Sequence, residues 1–201
     1  MNQFVSALLR IKCAFFGVFL VVGIPSAFGQ ITSFSEDVHE AIDRGLDYAA
    51  AQNWFVNGCP AQGHGDATGL ITLALLEKRA DANQNALSQG YANANAIDQQ
   101  RADLAIAFLI NRVNASGANA FQAYQDGADL MALSLYWRTG GPDQVGSLTA
   151  INKIYDRIAG NQLPSGYWCY SPGSACDDSS TTQLVMAGLA GARGVFLANG
   201  D

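Results

Sequence analysis

Cys59, His64 and Asp66 crowd one glycine-rich segment of the 201-residue chain, and thiolate, imidazole and carboxylate are donor types that zinc accepts. Their C-x4-H-x-D spacing corresponds to no zinc module. A tetrahedral site needs three or four ligands, and a histidine between Gly63 and Gly65 reads as an exposed turn residue. No metal and no cofactor is expected. A second cluster, Asp177-Asp178, stands directly before a helical pattern. A carboxylate there accepts the unpaired N–H groups of the first turn and faces the positive end of the helix dipole, which lowers its pKa. Capping is the expected role of this pair. Cys169 and Cys176 flank the turn-rich run Tyr170-Ser171-Pro172-Gly173-Ser174-Ala175, so a local disulfide is expected to staple that loop. Cys59 is then a buried free thiol or an alternative partner for either, and spacing does not choose between them. His39 is expected on the solvated side of its helix. No G-x-S-x-G elbow and no phosphate-cradling glycine loop is present, which argues against hydrolase and nucleotide-binding readings.

The elements that must position these residues repeat. Ala41-Ile42-Asp43, Ala96-Ile97-Asp98 and Ala150-Ile151-Asn152 recur at steps of 55 and 54 residues, each within a segment of helical apolar spacing. Val38, Ile42, Leu46 and Ala49 share one face of the first. Leu148, Ile151, Ile154, Tyr155 and Ile158 do so in the third, and the second spans 96–113. Ser33 and Glu36 have capping-box spacing ahead of the first helix. A more apolar helix follows each copy, over 66–79, 126–138 and 178–197, beginning beside an aspartate and ending near Arg79, Arg138 or Arg193. Leu70, Leu73 and Leu75 match Leu130, Leu133 and Leu135 at an offset of 60. No sustained period-two alternation predicts strands. Three helical hairpins, each an amphipathic outer helix and an apolar inner one, would stack on a shared core.

Composition sets the class. Hydrophobic residues make up 49% and charged residues 14% of the chain, which excludes a disordered polar tail. The formal charge of −6 provides no basic footprint, so nucleic acid is not an expected partner. Arg10 and Lys12 precede the apolar run 13–24, which is short for a membrane span. Pro25 ends the run, and Ala27-Phe28-Gly29 offers small residues where a signal peptidase reads. Residues 1–29 are expected to be a signal peptide and 30–201 the repeat domain. The chain is then secreted or periplasmic, with no membrane span left after cleavage.

Gln162-Leu163-Pro164-Ser165-Gly166-Tyr167-Trp168 reads Q-x3-G-x-W between a helix and the next helix start. This resembles the QW repeat of squalene and oxidosqualene cyclases and of the wider prenyltransferase and squalene-oxidase repeat proteins. Gln162 at a helix end can bond loop backbone, Gly166 permits a turn, and Trp168 can cover the gap between hairpins. The first copy has a degenerate Gln52 and Trp54, and the second has no loop tryptophan. The resemblance implies an all-α fold, an α/α toroid-like repeat in which inner helices line a cavity. Three hairpins would make a partial ring, and a homodimer of two arcs could close it. Squalene-hopene-type cyclases carry a D-x-D-D motif, whose last two positions resemble Asp177 and Asp178 while the first is Ala175 here. The resemblance thus implies two functions. The favoured one is a non-catalytic binding or scaffold module that takes an apolar small molecule or a peptide on a concave helical face. The alternative is a terpenoid cyclase or prenyltransferase-like enzyme with Asp177 and Asp178 as its acid residues. Aromatic side chains near helix ends, among them Trp54, Tyr124 and Tyr170, suit packing between hairpins or, in a cyclase, cation stabilisation.

Overall fold

Helix α1 (Ser33–Ala51) starts where Thr32 accepts from the Ser35 amide at 3.1 Å and Ser35 Oγ accepts from the Thr32 amide at 2.8 Å. That reciprocal capping box sits one residue before the Ser33/Glu36 spacing. The computed structural model describes residues 31–200 apart from Gln62, His64, Gln84 and Ala118. The expected signal peptide lies outside the described residues.

A single turn, α2 (Trp54–Asn57), follows Asn53 in the left-handed conformation at φ 58°. The chain then forms a two-residue antiparallel ladder, β1 (Pro60–Ala61) against β2 (Gly65–Asp66). No strand was expected here. The ladder is too short for a period-two pattern to register, and it serves to deliver Asp66 to the start of α3 (Thr68–Glu77). Helices α4 (Ala96–Ala115), α5 (Ala123–Arg138), α6 (Gln144–Gly160) and α7 (Ser179–Asn199) complete the order. The fold is all-α apart from that ladder, and among the described residues no helix is long and apolar enough to cross a membrane.

The helices lie in two rows. In the inner row α5 is flanked by α3 on one side and α7 on the other; in the outer row α4 packs on α6. Helix α4 also backs α3, α6 backs α5 and α7, and α1 reaches the rest through α2 and α3. Leu109, Ile106, Leu130, Leu133, Ile151, Ile154 and Val185 fill the space between the rows. Outer and inner helices therefore alternate along the chain: α1 then α3, α4 then α5, α6 then α7.

Glycines set the inner-row spacing. A Cβ on Gly127 would stand 2.7 Å from the Leu184 carbonyl, and one on Gly188 would stand 2.7 Å from the Gly127 carbonyl oxygen. Gly191 and Gly194 continue this seam against Ser134 and Arg138. On the other side a Cβ on Gly69 would meet the Asp129 amide at 2.7 Å. The two crossings align Gly69 with Gly127, a step of 58 residues rather than the offset of 60 suggested by the leucines. Leu70 is accordingly 44% exposed whereas Leu130 is buried.

The amphipathic reading of α1 needs a second correction. Leu46 and Ala49 are buried, but Val38 and Ile42 on the same stripe are exposed, because among the described residues no helix covers that side of the first half of α1. His39, expected in solvent, is half-buried 3.6 Å from Asp43. Helix α5 starts three residues before the aspartate expected to begin it.

These packing distances lead to opposite outcomes for one substitution at two glycines. Gly188→Ala forces a methyl into the Gly127 backbone and is expected to lower stability by about 1–3 kcal/mol, despite the better helix propensity of alanine. Gly45→Ala, where nothing lies within 4 Å, is expected to raise it by about 0.5–1 kcal/mol. Urea denaturation midpoints check both.

Candidate functional site

The first turns of the inner helices meet the last turns of the outer helices, and charge gathers at this junction. The Asp66 carboxylate accepts from the Thr68 amide at 2.9 Å, and the Asp66 amide donates to Gln125 Oε1 at 3.0 Å. Arg112, in the last turn of α4, pairs with both Asp66 and Asp129, and its guanidinium lies over the Phe108 ring at 5.3 Å. Arg157, in the last turn of α6, donates from Nη2 to Asp126 Oδ1 at 2.7 Å. The other Asp126 oxygen accepts from the Gln122 amide at 3.2 Å, at the entry to α5. Cations at helix C-termini and anions at helix N-termini are each favoured by the backbone dipoles, so both partners gain from this meeting.

Three carboxylates face two guanidiniums in a site where Asp126 and Asp129 are fully buried. Burial raises the Asp126 carboxyl to about 7, against the pull of Arg157 and with a push from Asp129. Burial likewise raises Asp129 to about 6, against Arg112 and with a push from Asp66. Among the described residues neither Asp129 Oδ1 nor Arg157 Nε has a hydrogen-bond partner.

In front of this cluster opens a cleft of about 430 Å³ lined by Ala61, Asp66, Ala67, Leu70, Tyr124, Gln125 and Tyr170. The two tyrosine rings form one wall, 5.8 Å apart between centroids and tilted by 53°. Tyr124 Oη lies 2.6 Å from Ser180 Oγ, and Tyr170 Oη donates to Asp178 Oδ2 at 2.9 Å. Cys169 and Cys176 stand at disulfide distance, S–S 2.01 Å, as the spacing suggested. Tyr170 lies inside the loop they close, and its carbonyl accepts from the Ala123 amide at 3.0 Å, so the stapled loop holds the ring against the start of α5.

No family model, curated protein or solved structure matches the chain.

The motif and acid residues lie along the same side of the molecule. Gln162 Nε2 donates to the Gly166 carbonyl at 3.0 Å, across a turn in which Gly166 takes φ 89°. Trp168 is buried, donates from Nε1 to the Ile158 carbonyl at 2.8 Å and accepts from Thr181 Oγ1 at its own carbonyl at 2.6 Å. These contacts tie the end of α6 to the beginning of α7. Asp178 caps α7: Oδ1 accepts from the Ser180 and Thr181 amides, both at 2.9 Å. Those hydrogen bonds, led by the Ser180 hydroxyl, hold its carboxyl well below the usual range, while the hydrogen bond to Asp178, and then its charge, push the Tyr170 phenol up to about 12. Asp177 is exposed and accepts from Ser165 Oγ at 2.7 Å. Neither aspartate lies in an enclosed apolar pocket of the kind that keeps a carboxylic acid neutral.

Cys59 is a buried free thiol whose pKa is raised by burial and then by the Asp66 charge. Its amide donates to Thr68 Oγ1 at 2.9 Å. His64 lies outside the described residues, and among the others no group of three His, Cys, Asp or Glu side chains could hold a metal ion. The sequence reading assigned Asp66 and Asp126 to helix starts and missed Arg112, Arg157 and Asp129 as partners. The available signal was an arginine in the last turn of each of two outer helices.

Two measurements probe the cluster. A carboxyl whose folded pKa lies above its unfolded value of about 4 binds its proton more tightly when folded, so its stabilisation is complete at low pH and declines as pH rises to the folded pKa. For Asp126 and Asp129 that window runs from about pH 4 to pH 7. The thermal midpoint is expected to fall by about 4–8 °C between pH 5 and pH 7.5. Asp129→Asn should flatten that slope, and a midpoint that rises over this interval would contradict the assignment. Separately, Arg112→Met strands Asp66 and Asp129 and is expected to cost about 3–5 kcal/mol in chemical denaturation, with partial recovery on adding Asp129→Asn.

Proposed function

We propose that this chain is an exported binding module of the α/α-toroid repeat type. Its ligand, an apolar small molecule or an apolar peptide segment, would lie against the inner row, entering at the cleft of Leu70, Tyr124 and Tyr170. The alternation of outer and inner helices and the hydrogen bonding of the Q-x3-G-x-W loop support the repeat assignment. The signal-like composition of residues 1–29 supports export to the periplasm or the exterior.

One observation carries the binding reading over the catalytic one. The described carboxylates around the cleft are engaged in structural roles: Asp66 and Asp129 with Arg112, Asp126 with Arg157, and Asp178 with the first turn of α7. A residue that protonates an alkene must be a neutral acid within reach of it: the hydrogen bonds to Asp178 favour the anion, and Asp126 and Asp129, which burial shifts toward the neutral form, are fully buried against Arg157 and Arg112. Leu70 and the tyrosine faces provide apolar area and quadrupole contact, and Gln125 contributes a polar group beside them.

Titrating the exported chain with farnesol and with a leucine-rich peptide, followed by NMR shifts of the Leu70 methyls and the Tyr124 ring, tests this reading. Saturable shifts confined to the cleft are expected, and Leu70→Arg should weaken binding more than about tenfold. Incubation with squalene or a polyprenyl diphosphate should give no product. Turnover abolished by Asp177→Asn or Asp178→Asn would replace the binding module by a terpenoid cyclase or prenyltransferase-like enzyme.

A further inference from the structure

Among the described residues the inner row has two open sides, and the internal repeat identifies what fits each. On the first side, the step of 58 residues that superposes Gly69 on Gly127 carries Leu70 and Ala74 onto Ala128 and Ala132. Those two alanines are buried, and the Ala128 backbone lies directly under Gly69. Leu70 and Ala74 thus occupy, in the open, positions that α5 buries, one of them in its contact with the preceding inner helix. On the second side, a step of 56, which superposes Ala128 and Asp129 beneath Gly69 on Leu184 and Val185 beneath Gly127, carries Leu130 and Ser134 onto Met186 and Ala190. Leu130 and Ser134 are side chains with which α5 meets Gly188 and Gly191 of α7. Their counterparts on α7 are uncovered, Met186 at 59% exposure.

The outer row extends both open sides. Next to α3, a groove of about 570 Å³ is lined by Phe34, Val38 and Ile42 of α1 together with Ala74, Glu77 and Asp81. Phe34 is 71% exposed, so most of its apolar area is left in water and is free to be buried by a partner. Next to α7, a groove of about 680 Å³ is lined by Tyr155, Leu189, Arg193, Phe196 and Leu197. Each groove carries charges of both signs, so opposite charges can face one another across the contact. Arg193 on the α7 side has Glu77 and Asp81 as counterparts on the α3 side, and Asp156 has Arg79. Lys78, also at the first groove, is already paired with Asp43 and Asp98.

We infer that this chain associates head to tail with a second copy of itself, the outer side of α7 and α6 in one copy seating on α3 and α1 of the next. The contact continues the α5–α7 interface across a copy boundary. It is heterologous, so an open assembly keeps one free face of each kind until a ring closes. Leu70 borders both the ligand cleft and this face; the inference stands on the repeat register, does not require the ligand reading above, and is tested at Phe34 and Met186, which do not line the cleft.

Light scattering and sedimentation of the full chain over a range of concentrations test it. The wild type is expected to self-associate, and Phe34→Glu on the head or Met186→Glu on the tail should each raise the dissociation constant more than about tenfold. An equimolar mixture of these two variants should recover a dimer and nothing larger, because each retains one intact face. Circular dichroism melts establish that both fold. Arg193→Glu provides a second tail variant, and its loss should be reversed by Asp81→Arg in the partner. A wild type that stays monomeric up to about 1 mM would overturn the inference. So would a tail variant that associates like the wild type, which would indicate a symmetric head-to-head pair, or a mixture that yields no dimer.

Discussion

Charge pairing between the last turns of the outer helices and the first turns of the inner ones is the constraint on which the arrangement depends. Arg112 and Arg157 each span from an outer helix to a buried aspartate, and a buried charge without its partner costs several kcal/mol. Sliding α4 or α6 by one turn would strand both members of a pair in a low-dielectric interior. Apolar packing between the rows tolerates such a slip far better, because leucine and isoleucine contacts carry little directional information. The ion pairs therefore act as register pins, and the glycine seam between α5 and α7 sets how closely the pinned helices approach.

The same pins shape the cleft. Asp66 is brought forward by the two-residue ladder and secured by Arg112, and Gln125 on α5 accepts its amide. Tyr170 arrives from a loop closed by Cys169 and Cys176 and is fastened by the Asp178 cap. Groups separated by about a hundred residues in sequence thus form one wall and one floor. Their polar atoms are largely engaged with one another, which leaves ring faces and an aliphatic side chain turned toward the opening.

Much of the helical layout was legible in the sequence. The recurring Ala-Ile-Asp and Ala-Ile-Asn triplets marked the three outer helices, because an amphipathic stripe at 3.6-residue spacing survives wherever one face is buried. Cys169 and Cys176 were readable as a local staple from the turn residues between them. The short α2 turn, the ladder beside it and the capping box at Thr32 were not, since each depends on a few residues whose propensities are weak alone. The offset of 60 misaligned the inner helices because leucines recur on several faces of an apolar helix, whereas the crossing glycines admit one register only.

Sequence alone determined which segments are helical, where an aspartate can cap a helix and which cysteines lie close enough to pair, because these are local properties of a few consecutive side chains. Tertiary structure decided that Asp126 and Asp129 are buried against Arg157 and Arg112, that Gly127 meets Gly188, and that Val38, Ile42 and Leu70 remain in water. Those outcomes turn on which face of each helix finds a neighbour. A neighbour is set by the summed packing of distant segments, which no local pattern encodes.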